Sequence, residues 1–399
     1  MRVAMLGQYP LDESRIVGGV EAVMVPLLRS LQSFPDLELH VVTCQPGSGT
    51  EERRTSAGLP LHIRQRRRFG RVTFHMRDVT GLRRTLERIG PDLVHAQGTG
   101  LYTLAALGAP CPHLVTVHGL TFREAAAASS NPIEMGNGQN PFGRARGVLD
   151  SYYERYALAR VKHLVSISPY VEREIQSISD AFPSFAFRGR VFRIENPVDD
   201  RFFTVGDPIS QSTIVYVGRV IPRKGLLELL RVFELVRRGI PSAGLRVAGE
   251  VDAAPDYYAA CRRFISEHNL DEAVTFLGSL SMDQVASEYQ NAALVAIPSL
   301  QETSPVAVAE AMAAGRPVVT NRVCGMPYMV EEGQSGILLD YGDTAAWASA
   351  LAGLLMDPER QRRMGSRGRL LAETRFRSLA VARATRAAYY EITGGSTNV

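Results

Sequence analysis

Long uninterrupted apolar runs are missing from this chain of 399 residues, cysteine is limited to four residues, and there is one tryptophan. The longest uncharged stretch, 96–122, is broken by Pro110, Pro112 and several glycines and carries His113 and His118, which argues against a membrane-spanning helix there. Cys44, Cys111, Cys261 and Cys324 stand far apart with no CxxC pair and no histidine cluster. Neither a disulfide framework nor a zinc site is indicated, and a reducing cytoplasm is the expected location. The opening MRVAMLGQYP lacks the cationic start, apolar stretch and cleavage site of a signal peptide and reads as a strand entering a glycine turn. No acidic metal motif stands out, so no metal and no cofactor are expected, and no nucleic-acid partner.

What is present is an ordinary globular composition, 45% hydrophobic and 22% charged, in a chain too long for one core, so two domains of comparable size are expected. Short apolar strand-like runs alternate with turns and amphipathic helical stretches, the pattern of an α/β chain with parallel sheets. In the first half the strands are RVAML, LELHVVTC, DLVHAQ, HLVTVHG and HLVSIS, with a helix after Gly18 and Gly19. The series restarts at residue 213 with TIVYVGRVIPRKG and continues through LRVAGE, VTFLG, LVAIPS, RPVVT and GILLD. Two Rossmann-like domains are therefore predicted, 1–198 and 199–375, with the boundary in the turn-rich 196–212. A C-terminal helix over 376–394 is expected to return to the first domain. A cleft between the halves is the default ligand site. The Ala-, Ser-, Asn- and Gly-rich stretch 124–150 is expected to be a long loop, mobile or in contact with an acceptor.

Net charge is only +4, yet residues 53–88 hold eleven arginines against Asp78 and Glu87. Such a stretch suits an anionic membrane surface, which would place the protein at the inner face of the plasma membrane, or a phosphorylated acceptor. A solvated face is the usual fate of such a run.

Chemistry concentrates in LVAIPSLQETSPVAVAEAMAAGRPVVT, 294–320. A strand ends in a loop holding Glu302. Ser304 is placed as N-cap and Pro305 as first helical residue, so that a helix start, an anion-binding device, points at the loop. Glu310 lies in this helix among apolar neighbours and needs a partner, either a protein donor or ligand hydroxyls such as those of a ribose. A second strand-loop-helix unit, YVGRVIPRKG, supplies Gly218 for a turn, the cations Arg219 and Lys224 with Arg223 as a third, and Gly225 at a helix start.

These two units resemble the retaining GT-B glycosyltransferases of the "glycosyltransferases group 1" type (family 4-like), whose mark is two glutamates separated by seven residues, here Glu302 and Glu310, followed by EAMAAGRPVV. The likeness also takes in Gly18 and Gly19, VTVHG with His118, SPYV, ENPVD and GILLDYGD. The resemblance implies two Rossmann-like domains facing each other across a cleft, and transfer of a hexosyl group from a UDP- or GDP-linked sugar to a glycan, lipid-linked or small-molecule acceptor. By it, Arg219 and Lys224 hold the donor diphosphate in place of a metal, Glu302 orients the donor sugar, and Glu310 binds the ribose. Thr303, Ser304 and Val306 belong to the same donor site. His118 faces the reacting sugar, and Gly18 and Gly19 admit close approach of the N-terminal loop. For His118 a satisfied core histidine is the competing reading. Two departures stand out: many relatives have Phe-Gly at Ser304-Pro305, and Gly-Gly-x-Pro-Glu where this chain has Cys324, Gly325, Met326, Pro327 and Tyr328. Rival functions are a nucleotide-sugar epimerase on the same scaffold and a non-catalytic sugar-nucleotide-binding protein.

Overall fold

The computed structural model describes all residues except 17, 48, 67–74, 121–140, 209, 211 and 396–399, and the backbone alone over 141–147. Two separate sheets follow one another along the chain. The first contains β1 (Arg2–Leu6), β2 (Glu38–Pro46), β3 (Glu51–Arg54), β4 (Pro60–Arg66), β5 (Leu93–Gln97), β6 (His113–Val117), β7 (His163–Ser166) and β8 (Arg190–Arg193), in the order β3-β4-β2-β1-β5-β6-β7-β8. The β3–β4 pair is antiparallel and the others run parallel. Its helices are α1 (Gly19–Leu31), α2 (Met76–Ile89), α3 (Leu101–Ala106), α4 (Pro141–Leu158) and α5 (Pro169–Ala181).

The second sheet is parallel throughout: β9 (Thr213–Val217), β10 (Gly244–Ala248), β11 (Val274–Gly278), β12 (Leu294–Ile297), β13 (Val318–Asn321) and β14 (Gly336–Leu339), ordered β11-β10-β9-β12-β13-β14. Helices α6 (Leu226–Gly239), α7 (Pro255–Glu267), α8 (Met282–Asn291), α9 (Val306–Ala313), α10 (Thr344–Leu355) and α11 (Pro358–Arg375) accompany it, and α12 (Ser378–Thr393) ends the chain. Central strands covered on both faces must be apolar on both, and Val3 to Leu6 in β1 and Leu294 to Ala296 in β12 are all fully buried.

Every strand read from the sequence is present. β3, β4 and β8 are additional to that reading, because EERR, PLHIRQR and RVFR are interrupted by charge rather than forming an apolar run, and β3 and β8 are the edges of the sheet. The stretch 124–150 is not all loop, since α4 begins at Pro141; residues 121–140 lie outside the described residues.

Around the junction, Val198, Phe202 and Phe203 pack with Val215, Val295 and Met312 of the second half. Helix α12 instead returns to the first core, where Val381, Ala382, Ala388 and Tyr389 are buried, and Arg386 reaches Asp36 at 2.9 Å. Among the described residues no helix is long and apolar enough to cross a membrane.

Strand order reverses between β1 and β5 in one sheet and between β9 and β12 in the other. In doubly wound sheets the crevice beyond the carboxyl ends of the strands opens at such a reversal. The loops after β1, β5, β9 and β12 are therefore where a ligand is to be sought.

Candidate active site

Beyond β9 the chain passes Gly218 and Arg219 and makes a tight turn over Pro222–Lys224. Gly225 follows at φ 71°, a left-handed conformation that favours glycine, and a Cβ there would overlap the carbonyl of Pro298. This close approach brings the start of α6 against the end of β12, with Leu300 N–H donating to the Arg223 carbonyl at 2.9 Å. Lys224 Nζ donates to Glu302 Oε1. Arg223 Nη1 donates to the Gln301 carbonyl at 3.1 Å, and Arg219, more exposed, donates from Nε to Glu250 Oε2 at 2.9 Å. Burial pushes the Glu302 carboxyl up, but the Lys224 and Arg223 cations outweigh it and hold the group below its ordinary range.

The Glu302 loop is fixed from behind. Cys324 takes φ 52°, Gly325 N–H donates to the Glu302 carbonyl at 2.9 Å, and a Cβ on Gly325 would overlap the Thr303 carbonyl. The cap expected at Ser304 is not formed. Pro305 is the N-cap, with ψ 122°, and α9 begins at Val306. The Pro305 carbonyl accepts from Val308 N–H at 3.1 Å, whereas the Ser304 hydroxyl turns to Met329 Sδ at 3.7 Å. Proline fits a cap because that position needs no N–H of its own, and it leaves the amides of Val306 and Ala307 at the open end of the helix. Further along α9, Glu310 accepts from the Tyr289 hydroxyl at 3.2 Å, and among the described residues no cation forms an ion pair with it. Burial raises its carboxyl to about 7, against the opposing effect of that hydrogen bond.

On the facing wall, His118 follows β6 and donates from Nε2 to Gln97 Oε1 at 2.6 Å. Burial lowers the ring to about 4, partly offset by the Asn196 side chain, so His118 is neutral imidazole at neutral pH. Gly18 precedes α1 and its N–H donates to Glu21 Oε2 at 3.3 Å, while a Cβ on Gly19 would meet nothing within 4 Å. Asn196 ties the walls together, its Nδ2 donating to the Ser304 carbonyl at 3.3 Å.

All the residues nominated from the sequence border one cavity of about 610 Å³. Gly218, Arg219, Lys224, Glu302, Thr303, Ser304, Val306 and Glu310 form one side; Gly18, Gly19 and His118 form the other. Residues passed over by the sequence reading also border it: Gln97, Asn196, Gln301, and, on the N-terminal side, Cys44, Arg66, Thr99 and Tyr102. Asn196 has a signal in ENPVD, but Gln97 sits at the end of an apolar strand and has none. Three described arginines of the arginine-rich stretch turn inward rather than to an outer face. Arg64 is buried against Thr85 Oγ1 at 2.5 Å, Arg83 donates to the Leu104 carbonyl at 2.9 Å, and Arg66 borders the cavity, while residues 67–74 lie outside the described residues. Among the described residues no three His, Cys, Asp or Glu side chains are grouped so as to hold a metal ion.

Known proteins match both halves. The family profile "Glycosyl transferases group 1" matches residues 200–371, and that of "Glycosyltransferase Family 4" matches residues 17–202. The D-inositol 3-phosphate glycosyltransferase of Corynebacterium efficiens is 36% identical over 167 residues, 40% of this chain and 38% of that protein. The protein of the same name from Mycolicibacterium paratuberculosis is 30% identical over 261 residues, covering 62% of this chain and 54% of that one. The chain thus spans under two fifths of the first relative and about half of the second. Among solved structures, sucrose-phosphate synthase from Thermosynechococcus elongatus superposes with a TM-score of 0.78 at 22% identity, over 99% of this chain and 100% of that one. Anabaena HepE, solved in complex with UDP-glucose, gives a TM-score of 0.70 at 18% identity, over 98% and 100%. At those identities the structural likeness concerns the fold.

Proposed function

The chain belongs to the group 1 glycosyltransferases of GT-B architecture, and from that premise we propose that it moves a hexosyl group from a nucleotide diphosphate sugar to an acceptor hydroxyl, with retention of configuration and without a metal. The observation that carries the reading is the meeting of two helix starts, the Lys224–Glu302 pair, Arg219 and Arg223 at one cavity wall with His118 on the other. The diphosphate lies between the α6 and α9 starts, where free amides and the cations neutralise charge on the departing nucleotide. Glu302 takes hydroxyls of the donor sugar. Glu310, buried beside a tyrosine hydroxyl, takes those of the ribose.

A double displacement needs a carboxylate on the far face of the sugar. Among the described residues the cavity is bordered by two carboxylates, Glu302 and Glu310, and both are assigned to donor binding. The acceptor oxygen therefore attacks from the face that the nucleotide leaves, and a departing phosphate oxygen takes the proton. UDP is the nucleotide to test first, because fold neighbours were solved with UDP or UDP-glucose. On the acceptor side, Arg66 borders the cavity beside Tyr102, and the curated relatives are named for D-inositol 3-phosphate. An anionic polyol is the acceptor class this favours. Incubation with α-linked UDP-hexoses and phosphorylated polyols, followed by NMR of the product, is expected to give an α-glycoside; a β-product overturns the retaining reading, and absence of any product with UDP, GDP and ADP sugars overturns the activity.

A further inference from the structure

His118 is the first member of a buried chain of side chains that runs across the first sheet to the C-terminal helix. His118 Nε2 lies 2.6 Å from Gln97 Oε1, Gln97 Nε2 lies 3.2 Å from His95 Nε2, and His95 Nδ1 lies 2.7 Å from the hydroxyl of Tyr389 on α12. Thr116 Oγ1 also stands 2.7 Å from His95 Nε2. Gln97, His95, Thr116 and Tyr389 are all buried.

With the Gln97 amide nitrogen turned toward His95, the donors and acceptors fit one direction. Thr116 O–H and Gln97 N–H both donate to His95 Nε2, so that nitrogen has no proton. His95 then carries its proton on Nδ1 and donates it to the Tyr389 oxygen. Gln97, with its amide nitrogen turned to His95, offers only its oxygen to His118, which must donate from Nε2. The consequence is that the proton-free nitrogen of His118 is Nδ1. Amides and imidazoles in series transmit orientation, because flipping one group leaves a buried donor facing a donor.

We propose that Gln97, His95 and Tyr389 are positioning residues for His118: the relay fixes its ring plane and keeps its proton on Nε2, and the C-terminal helix, through Tyr389, is a working part of the reacting end of the cleft. None of the three touches substrate in this role, although Gln97 borders the cavity. The inference rests on the reading of His118 as a group facing the transferred sugar.

It also explains a packing choice. α12 docks on the first core through small and aliphatic side chains, Val381, Ala382 and Ala388, yet places at the same face a tyrosine with no exposed surface and a hydroxyl that needs a partner. Phenylalanine would fill that volume without a polar atom. The hydroxyl is accounted for by the acceptor it gives to His95.

Two measurements on the full chain test this. Long-range 15N–1H NMR of histidine-labelled protein, with His118 assigned through His118→Asn, reads the tautomer without any substrate; the expected result is a single Nε2-protonated form. In Tyr389→Phe the constraint on His95 is removed, so His118 is expected to become a mixture of the two tautomers. Turnover is expected to fall roughly tenfold, the scale of one buried hydrogen bond, with KM for the donor unchanged. Gln97→Met is expected to do the same and to break the relay at a second point. An Nδ1-protonated His118 in the wild type overturns the proposal, as does a Tyr389→Phe protein with the wild-type tautomer and the wild-type kcat. A fall in kcat with an unmoved tautomer also overturns it, because that is what a merely structural tyrosine would give. Absence of sugar transfer by the wild type would strike the functional reading, while the tautomer measurement would still decide the relay.

Discussion

The two walls of the cleft are made by the same topological device and work by different electrostatics. On the C-terminal wall the loops after β9, β10 and β12 hold ions against one another: Lys224 with Glu302, Arg219 with Glu250. On the N-terminal wall the loop after β6 presents His118, backed by Gln97 and His95 of β5, neutral groups in series, the two rings kept uncharged by burial. The contrast follows what each wall is asked to meet. A diphosphate must have its charge matched, and cations in a partly water-excluded site do that strongly. A reacting sugar carries little charge until the transition state, so oriented neutral groups suffice to face it.

The sharpest way to break this comparison is at the ion pair. Lys224→Ala is expected to lower turnover by about 10²–10³-fold, the range for loss of one group that stabilises developing charge. Glu302→Ala is expected to cost nearly as much. The double variant is expected to be little worse than either single one, because the two groups act as a unit. Steady-state rates with a UDP-hexose donor decide it. If the single losses multiply in the double variant, the two groups act independently and the contrast between a paired wall and a neutral wall fails.

Acid separates the walls further. His118 and His95 have pKa values depressed to about 4 and about 3 in the folded chain, below the ordinary value of 6.5. Their contribution to stability is present above the unfolded pKa and lost as pH falls from about 6.5 through 4 and 3, because the unfolded chain then binds protons the folded one refuses. Glu310 has the opposite sign. Its folded pKa of about 7 lies above 4.5, so its contribution is full below 4.5 and is lost as pH rises from 4.5 to 7. The size is roughly 3 kcal/mol for that shift. Urea unfolding across about pH 4–8 is expected to show Glu310→Gln gaining on the wild type as pH rises through this window. A constant difference between the two proteins over that range would mean that Glu310 is not kept protonated by its burial.

The same division explains what the sequence disclosed. The strands of both sheets are visible as apolar runs, and the charged wall is visible because Arg219, Lys224 and Glu302 interrupt short loops directly after such runs. Glu302 and Glu310 carry a spacing as well. The neutral wall is hardly visible. His95 and Gln97 belong to DLVHAQ, where they read as incidental polar residues in a strand, and Tyr389 lies 294 positions beyond His95 along the chain. Only the return of α12 to the first core places that hydroxyl beside His95. The strands β3, β4 and β8 at the two margins of the first sheet are hidden for a different reason, since their charged residues mask the pairing that backbone geometry provides.

The smallest effect tests a local feature of the site that the sequence misplaces. Ser304 is the expected cap of α9, and a serine cap replaced by alanine costs about 1 kcal/mol. Here the cap is Pro305, and the Ser304 hydroxyl bonds only weakly, to a thioether at 3.7 Å. What holds Ser304 is its carbonyl, which accepts from Asn196 at 3.3 Å and survives the substitution. Ser304→Ala is therefore expected to change unfolding stability by less than about 0.5 kcal/mol, whereas Asn196→Ala, which removes the bond between the walls and leaves that carbonyl unpaired, is expected to cost about 1–3 kcal/mol. Chemical denaturation of both variants beside the wild type gives the order directly. A larger loss in Ser304→Ala than in Asn196→Ala would return the capping role to the serine and leave the C-terminal wall without its tie to the N-terminal one.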